Sequence, residues 1–228
     1  MNENNRNIVL MNDIRIRQVE LLDNGEVFVD ILQKPNHIHV DESRSQIGNH
    51  TIYYASVRRA VSEKLIAAQA SLAKNVNLLI KECFRPLSLQ KLFYDRWLSK
   101  VASNHPDWTP EQLKQEASVW VAPIEVAPHS TGGAVDLTLM DGNGHELDMG
   151  TTFNANPIDT RDAIYFMASG ISSLARKNRS ILKEAMESVG FVNYPTEWWH
   201  WSYGDRYWAF ATKQQEAFYG SVEKPKYA

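Results

Sequence analysis

Two segments of this chain carry side chains whose types and spacing suit hydrolysis at a metal: His129-Ser130-Thr131-Gly132-Gly133-Ala134-Val135-Asp136 and Glu197-Trp198-Trp199-His200. A catalytic zinc ion takes three nitrogen or oxygen ligands from the protein and leaves one position for the water that it activates. His129, Asp136 and His200 would supply those ligands to one Zn2+ per chain, and Glu197 would accept the water's proton. The adjacent Gly132 and Gly133 let the backbone turn tightly between the first ligand and the second. Asp136 falls in an apolar stretch, where an unpartnered carboxylate is costly to bury; a metal would satisfy it, and so would an arginine. Taken alone, a Glu and a His three apart recur by chance, and the surrounding tryptophans suit a packed sheet.

Arg85 is the third chemical element. A tetrahedral intermediate at a peptide carbon carries an oxyanion, which a guanidinium and a metal can stabilise together. The competing reading of Arg85 is an ion pair with Glu82 or another surface acid.

The elements that must position these residues follow from periodicity. Asn24-Gly25 and the alternation of Val27, Val29 and Ile31 predict a turn and a strand ended by Pro35. Val61, Leu65, Ala68 and Leu72 have helical spacing, with Arg58, Arg59, Glu63 and Lys64 suited to a solvated face. The run Val76 to Ile80 predicts a buried strand that stops before Arg85-Pro86, because proline disfavours helical geometry in the residue before it. Leu89, Leu92, Phe93 and Trp97 mark a second helix, and Thr109-Pro110-Glu111-Gln112 starts a third with a threonine cap. Ala134 to Leu139 predicts a strand carrying Asp136, followed by a hairpin turn at Asp141-Gly142-Asn143-Gly144. A helical region is expected after Thr160, and another through Ile181, Leu182, Met186 and Val189 that stops at Gly190. Phe191 to Thr212 reads as aromatic strand turning at Gly204-Asp205. Helices interspersed with hairpin-type strands predict an α+β fold with an antiparallel sheet, in one domain over residues 1–228.

A net charge of -3 gives no footprint for nucleic acid. No apolar run suits an export signal or a membrane span, so the expected compartment is the cytoplasm. Cys83 is the only cysteine, which excludes an intramolecular disulfide. No feature specifies an oligomeric state.

The three segments together resemble the zinc D-Ala-D-Ala dipeptidases of the VanX type, within the wider family of peptidoglycan D,D-carboxypeptidases and dipeptidases. That family's Ser-x-His-x-x-Gly-x-Ala-x-Asp is matched by Ala127 to Asp136 except at the first position, its Glu-Trp-Trp-His by Glu197 to His200 without change, and its Arg-Pro by Arg85-Pro86. The resemblance covers roughly Val27 to His200. It implies a hedgehog or D,D-peptidase-like α+β fold: an antiparallel sheet carrying a mononuclear zinc site and flanked by helices. It also implies His129, Asp136 and His200 as zinc ligands, Glu197 as general base and then acid, and Arg85 as transition-state stabiliser. The implied activity is hydrolysis of D-Ala-D-Ala or a close relative, serving glycopeptide resistance or D-alanine recycling.

Two departures concern substrate. Ala127 stands where the family has a serine associated with the substrate's carboxylate, and Asn154 where it has an aspartate associated with the ammonium; either Asp148, Asp159 or Asp162 substitutes for it, or the preferred substrate is not plain D-Ala-D-Ala. Cys83 and Phe84 also replace the small residue and tyrosine common before Arg-Pro. Two other functions compete: a D,D- or L,D-carboxypeptidase or endopeptidase on longer peptides, which an open cleft would favour, and a non-catalytic zinc-stabilised binding module. The stretch Ser99 to Val126 is expected to cover one side of the site and favour a small substrate. His37 and His39 alternate as weaker metal candidates, His145-Glu146 lacks a helical partner, and His50 and His105 stand alone. The tryptophans Trp198, Trp199, Trp201 and Trp208 read as core, and Ser130 lacks the context of a nucleophilic serine.

Overall fold

The computed structural model describes residues 8–33, 38–43, 50–160 and 162–227. In chain order, α1 (Ile14–Arg17), β1 (Glu20–Leu21), β2 (Phe28–Asp30), β3 (His39–Val40) and β4 (Ser56–Arg58) precede α2 (Arg59–Ser71) and β5 (Val76–Glu82). Then come α3 (Leu87–Asn104), α4 (Pro110–Ala117), a 3-10 turn at Pro128–Thr131 and β6 (Ala134–Asp141). The chain closes with α5 (Pro157–Thr160), α6 (Ser173–Ser188), β7 (Val192–Asn193), β8 (His200–Ser202), α7 (Arg206–Ala211) and β9 (Glu216–Ala217).

A five-stranded sheet in the order β3-β5-β6-β8-β7 forms the centre. All its pairs are antiparallel except the edge pair β3 and β5. The expected antiparallel α+β sheet is therefore present, with one parallel edge that the sequence pattern did not suggest.

Strand β6 is buried on both faces, and its parity decides what each face does. Val135, Leu137 and Leu139 enter the main core with Val61, Leu65 and Ala68 of α2 and Leu182 and Met186 of α6. Asp136 and Thr138 consequently point to the other face. On β8, Trp201 joins the same core while His200 and Ser202 face away from it. On β5 an unbroken period of two would put Glu82 on the core face with Leu78 and Ile80. A register shift between Ile80 and Glu82 prevents this: Ile80 pairs with Leu137, whereas Glu82 pairs with Asp136. The irregularity re-aims Glu82. Asp136 in turn pairs with His200, so Glu82, Asp136 and His200 form one row across three strands.

Local sequence accounts for the helices around this sheet. Thr109 and Gln112 form the expected capping box on α4. Gly190, at φ 90°, follows α6 as the expected left-handed stop. Asp141 heads the anticipated turn, accepting from the backbone N–H groups of Asn143 and His145, but the return pairing is a single bridge between Met140 and Glu146.

Three expectations are corrected. Over the described residues, the helical region expected after Thr160 is instead a series of turns: Asp162 sits at φ 66°, and buried Arg179 donates to the carbonyls of Ala163, Tyr165 and Phe166, satisfying acceptors that a helix would have paired internally. Residues 206–211 are helix rather than strand, because the Asp205 side chain caps the N–H of Trp208. Arg58 belongs to β4 rather than a solvated helix face; it is buried and donates to the carbonyls of Thr131 and Gly220. Pro35 and His37 lie outside the described residues. Among the described residues, no helix is long and apolar enough to cross a membrane.

The paired glycines before β6 differ in what they permit. A Cβ on Gly132, at φ 74°, would meet the Phe28 ring, and one on Gly133 would stand 2.2 Å from the backbone carbonyl oxygen of Tyr203. Backbone cannot step aside as a side-chain tip can. Gly133→Ala is expected to cost about 3 kcal/mol in thermal or denaturant unfolding. Gly142→Ala, whose Cβ would find only ordinary contacts at 3.9 Å, should stay within about 1 kcal/mol.

Candidate metal centre

The sheet row meets the 3-10 turn at His129. Backbone links Arg58 N–H to the Gly132 carbonyl and Arg85 N–H to the His129 carbonyl, fixing that turn against β4 and the end of β5. The loop from Tyr194 to His200 is closed by Asn193, whose side-chain amide donates to the carbonyls of Glu197 and His200 at 2.9 Å each. These two loops bring the distant segments together.

The donor atoms of His129, Asp136 and His200 all lie within 4.8 Å of one another, and all three residues are buried. His200 Nδ1 is 2.9 Å from Asp136 Oδ1 and 3.1 Å from His129 Nε2, and His129 Nε2 is 3.3 Å from Asp136 Oδ1. The outward nitrogens are held separately. His129 Nδ1 donates to the Cys83 carbonyl at 2.7 Å, which turns its Nε2 toward the cluster. His200 Nε2 lies 3.3 Å from Ser202 Oγ, leaving Nδ1 inward. Two imidazole nitrogens and a carboxylate oxygen facing one point are a donor set that fits a divalent transition metal such as zinc.

Charge in this row is finely divided. Burial alone would raise the pKa of Asp136, but the imidazoles of His129 and His200 outweigh it and hold the carboxyl below the usual carboxylate range. Burial also works against a charge on His129, yet Asp136 and Glu82 raise its pKa. Glu197 behaves oppositely: burial and then the charge of Asp136 push it well above the usual value, against Arg85. Among the described residues its carboxylate has no hydrogen-bond partner. Arg85 is clamped by Glu82, which accepts from Nε at 2.6 Å and from Nη2 at 2.8 Å, while Nη1 donates to Gln90 Oε1 at 2.8 Å. These bonds leave one N–H on each terminal nitrogen. The ion pair with Glu82 is therefore present and leaves part of the guanidinium's donor capacity uncommitted.

His129, Asp136, His200, Glu197 and Arg85 all line one chamber of about 40 Å³, with Met11, Trp120, Tyr194 and Trp199 among its walls. All five residues singled out in the sequence come together there. A wider cleft of about 530 Å³ adjoins it, sharing Arg85, Trp120 and Asn154 and lined also by His50, Arg96 and Lys100. The stretch Ser99 to Val126 supplies Trp120 and Ala122 to the chamber, as expected, without closing the cleft. Ala127 is buried and lines neither cavity, and neither do Asp148, Asp159 or Asp162.

Periodicity gave no sign of Gln90, which is buried, holds Arg85 and is itself tied to the Ala122 carbonyl. Met11 and Tyr194 were likewise unsignalled; the Tyr194 hydroxyl donates to the Ser118 carbonyl and accepts from Met11 N–H. The weaker histidines stand elsewhere: His39 is exposed on edge strand β3, His145 pairs with Asp141 at 3.5 Å, and His105 stacks on Trp108. Trp198 and Trp201 are core, and Trp199 is both core and chamber wall.

A family model described as D-Ala-D-Ala dipeptidase, peptidase family M15, matches residues 19–218. The chain is similar to a D-alanyl-D-alanine dipeptidase of Synechocystis sp., with 30% identity over 195 residues covering 73% of this chain and 79% of the relative. It is also similar to a D-alanyl-D-alanine dipeptidase of Enterococcus faecalis, with 32% identity over 171 residues covering 72% and 81%. A solved structure of VanYB in complex with D-alanine-D-alanine aligns with a TM-score of 0.42 and 20% identity, covering 70% of this chain and 79% of that one.

A protonated imidazole has no lone pair to give, so a cation must displace the proton that Asp136 helps to keep on His129. Since the pKa of His129 lies above the ordinary 6.5 in the metal-free protein, the loss of zinc affinity on acidification is expected to begin above that pH. Competition titrations against a chelator should show affinity falling about tenfold per pH unit for each proton displaced. Affinity that stays flat down to pH 6 would contradict the donor set.

Proposed function

The chain belongs to peptidase family M15, the D-Ala-D-Ala dipeptidases, and from that membership we propose that it hydrolyses D-Ala-D-Ala or a closely related dipeptide with one zinc ion held by His129, Asp136 and His200. The observation that carries this reading is the convergence of these three donors with Glu197 and Arg85 on one chamber. When bound, zinc supplies Lewis acidity, lowering the pKa of a water toward about 7 and polarising the scissile carbonyl. The Glu197 carboxylate, with no hydrogen-bond partner among the described residues, takes the proton from the attacking water and passes it to the leaving amine as the C–N bond breaks. Arg85 turns its two remaining N–H groups to the oxygen that gains charge, while Glu82 and Gln90 fix its guanidinium plane. Trp199, Trp120 and Met11 narrow the chamber and exclude bulk water.

A structural zinc site closes its fourth position with a protein ligand. Among the described residues the cluster has three donors, and Glu197 and Arg85 would have no purpose beside an inert ion, which speaks against a binding module.

One observation favours a second reading, cleavage of longer peptides ending in D-Ala-D-Ala. The acids lining the chamber are Asp136 and Glu197, both engaged in the chemistry, and the acid of the cleft is Glu82, paired with Arg85. Neither cavity offers a further carboxylate for a free ammonium, while Arg96 and Lys100 line the cleft and suit a substrate carboxylate.

D-Alanine release from D-Ala-D-Ala and from a pentapeptide ending in D-Ala-D-Ala separates the two. The dipeptide is expected to have the higher kcat/KM; the reverse order would move the assignment to the carboxypeptidase. Glu197→Ala should lower kcat by about 10²–10⁴ while zinc content stays at that of the parent protein. Parallel loss of zinc and turnover would remove Glu197 from the role of base.

A further inference from the structure

The helix that follows Arg85-Pro86 has no cap of its own. Pro86 stands at the N-cap position of α3 without a side-chain acceptor, and the first turn of the helix contains no acid. The cap comes from far along the chain. Glu223 accepts the Ser88 backbone N–H at 2.9 Å with one carboxylate oxygen and the Ser88 hydroxyl with the other. Negative charge is also favoured at this end of a helix.

What the capped turn holds is Arg85. Gln90 closes that turn, with its N–H on the Pro86 carbonyl at 2.9 Å, and its side chain accepts from Arg85 Nη1 at 2.8 Å. Phe93 follows on the same helix, its ring centre 5.2 Å from the guanidinium carbon. The strap that carries Glu223 is anchored independently of α3. Before Glu223, Gly220 N–H donates to Asp23 and the Gly220 carbonyl accepts from Arg58, while Val222 N–H donates to the carbonyl of Ser130, beside His129, at 2.8 Å. After it, the Lys226 carbonyl accepts the Phe28 N–H at 2.8 Å.

We infer that Glu223 is a positioning residue for Arg85: by capping the first turn of α3 from a strap tied to the His129 turn, it holds Gln90 where that side chain fixes the guanidinium against the chamber. This inference rests on the role proposed above for Arg85. Fraying of a helix end ordinarily costs stability alone. Here the frayed turn contains Gln90 and would release Arg85 Nη1, while Glu82 on β5 keeps Nε and Nη2. Arg85 would then stay at the site and lose its orientation.

Glu223 is exposed, so its replacement leaves the core untouched. The test compares zinc-loaded Glu223→Ala and Glu223→Gln with the parent in hydrolysis of D-Ala-D-Ala and of the pentapeptide, in zinc affinity, and in exchange of the Arg85 guanidinium protons with water. Glu223→Ala is expected to lower kcat about 3–10-fold. KM should stay within about twofold, because the interaction lost is one made in the transition state. Zinc affinity should match the parent, and Arg85 exchange should be faster. Glu223→Gln, which keeps an acceptor for Ser88, should recover most of kcat. In an Arg85→Ala background, Glu223→Ala should cost nothing further, since the group it positions is gone. Parent-level kcat in Glu223→Ala, the same fold-loss with and without Arg85, zinc affinity falling in step with kcat, or unchanged Arg85 exchange would each overturn the inference and leave the zinc reading standing. A parent that hydrolyses neither peptide would sink the function proposed above, and Arg85 exchange would then decide the inference by itself.

Discussion

A carboxylate placed in the interior of a sheet is the constraint around which this molecule is arranged. Asp136 stands on β6, a strand covered on both faces, and charge in such a place costs several kcal/mol unless opposite charge or hydrogen-bond donors surround it. The sheet provides them by register rather than by side-chain reach. His200 is the direct cross-strand partner of Asp136, His129 comes from the turn that leads into β6, and both present ring nitrogens within about 3.3 Å of one carboxylate oxygen. Cross-strand neighbours are held by backbone ladders, so the donors keep their spacing without depending on flexible side chains. The same register allocates the other face of β6 and β8 to hydrophobic core, and the helices α2 and α6 that bury it thereby clamp the metal face in place.

The remaining acids show how one small volume holds several carboxylates in different states. Glu82 is neutralised by a two-point bond to Arg85 and Asp136 by imidazoles, while Asp205 accepts the Trp208 N–H at the start of α7. Glu197 alone faces the chamber with no such partner among the described residues, and its affinity for a proton is raised by burial and by Asp136. Environments that separate the proton affinities of neighbouring carboxylates are how a site assigns distinct roles to identical groups. Asp136, already compensated by two imidazoles, would be a poor proton carrier. On the role proposed for Glu197, a cation in the cluster would oppose the burial that raises its affinity for a proton.

Much of this was legible in the residues themselves, and the reason is local. The His129 and Glu197 segments carry their chemistry within a few positions, and α2, α4 and α6 carry periodicity or caps strong enough to be read without tertiary information. What escaped reading was set by distant partners. The irregularity that turns Glu82 toward Asp136 lies in a strand whose apolar residues give no hint of it. Residues beyond Thr160 are held in turns by Arg179, far along the chain, and α7 was hidden because aromatic residues at 207, 208 and 210 resemble alternation until Asp205 is recognised as a cap. Gln90 became visible only once Arg85 had a position.

Chemistry and selectivity also reside on different kinds of structure. The row of Glu82, Asp136 and His200 belongs to the sheet, whose geometry is shared with the core, so displacing it would disturb packing throughout. The adjoining cleft is walled by α3, through Arg96 and Lys100, and by the loop that carries Asn154. Arg96 and Lys100 are exposed, so substitutions there change the charge offered to a substrate at little cost in stability. On the function proposed above, hydrolysis would depend on residues that cannot easily vary, and the choice of peptide on residues that can. Departures from the family pattern fall unevenly in this light. Ala127 is buried outside both cavities, whereas Asn154 lies where chamber and cleft meet, at φ 54°. On the second reading proposed above, a neutral side chain at that junction, with two cations beyond it and no unengaged acid within, would suit substrates carrying negative rather than positive charge, while the row of Asp136 and His200 behind it is left intact.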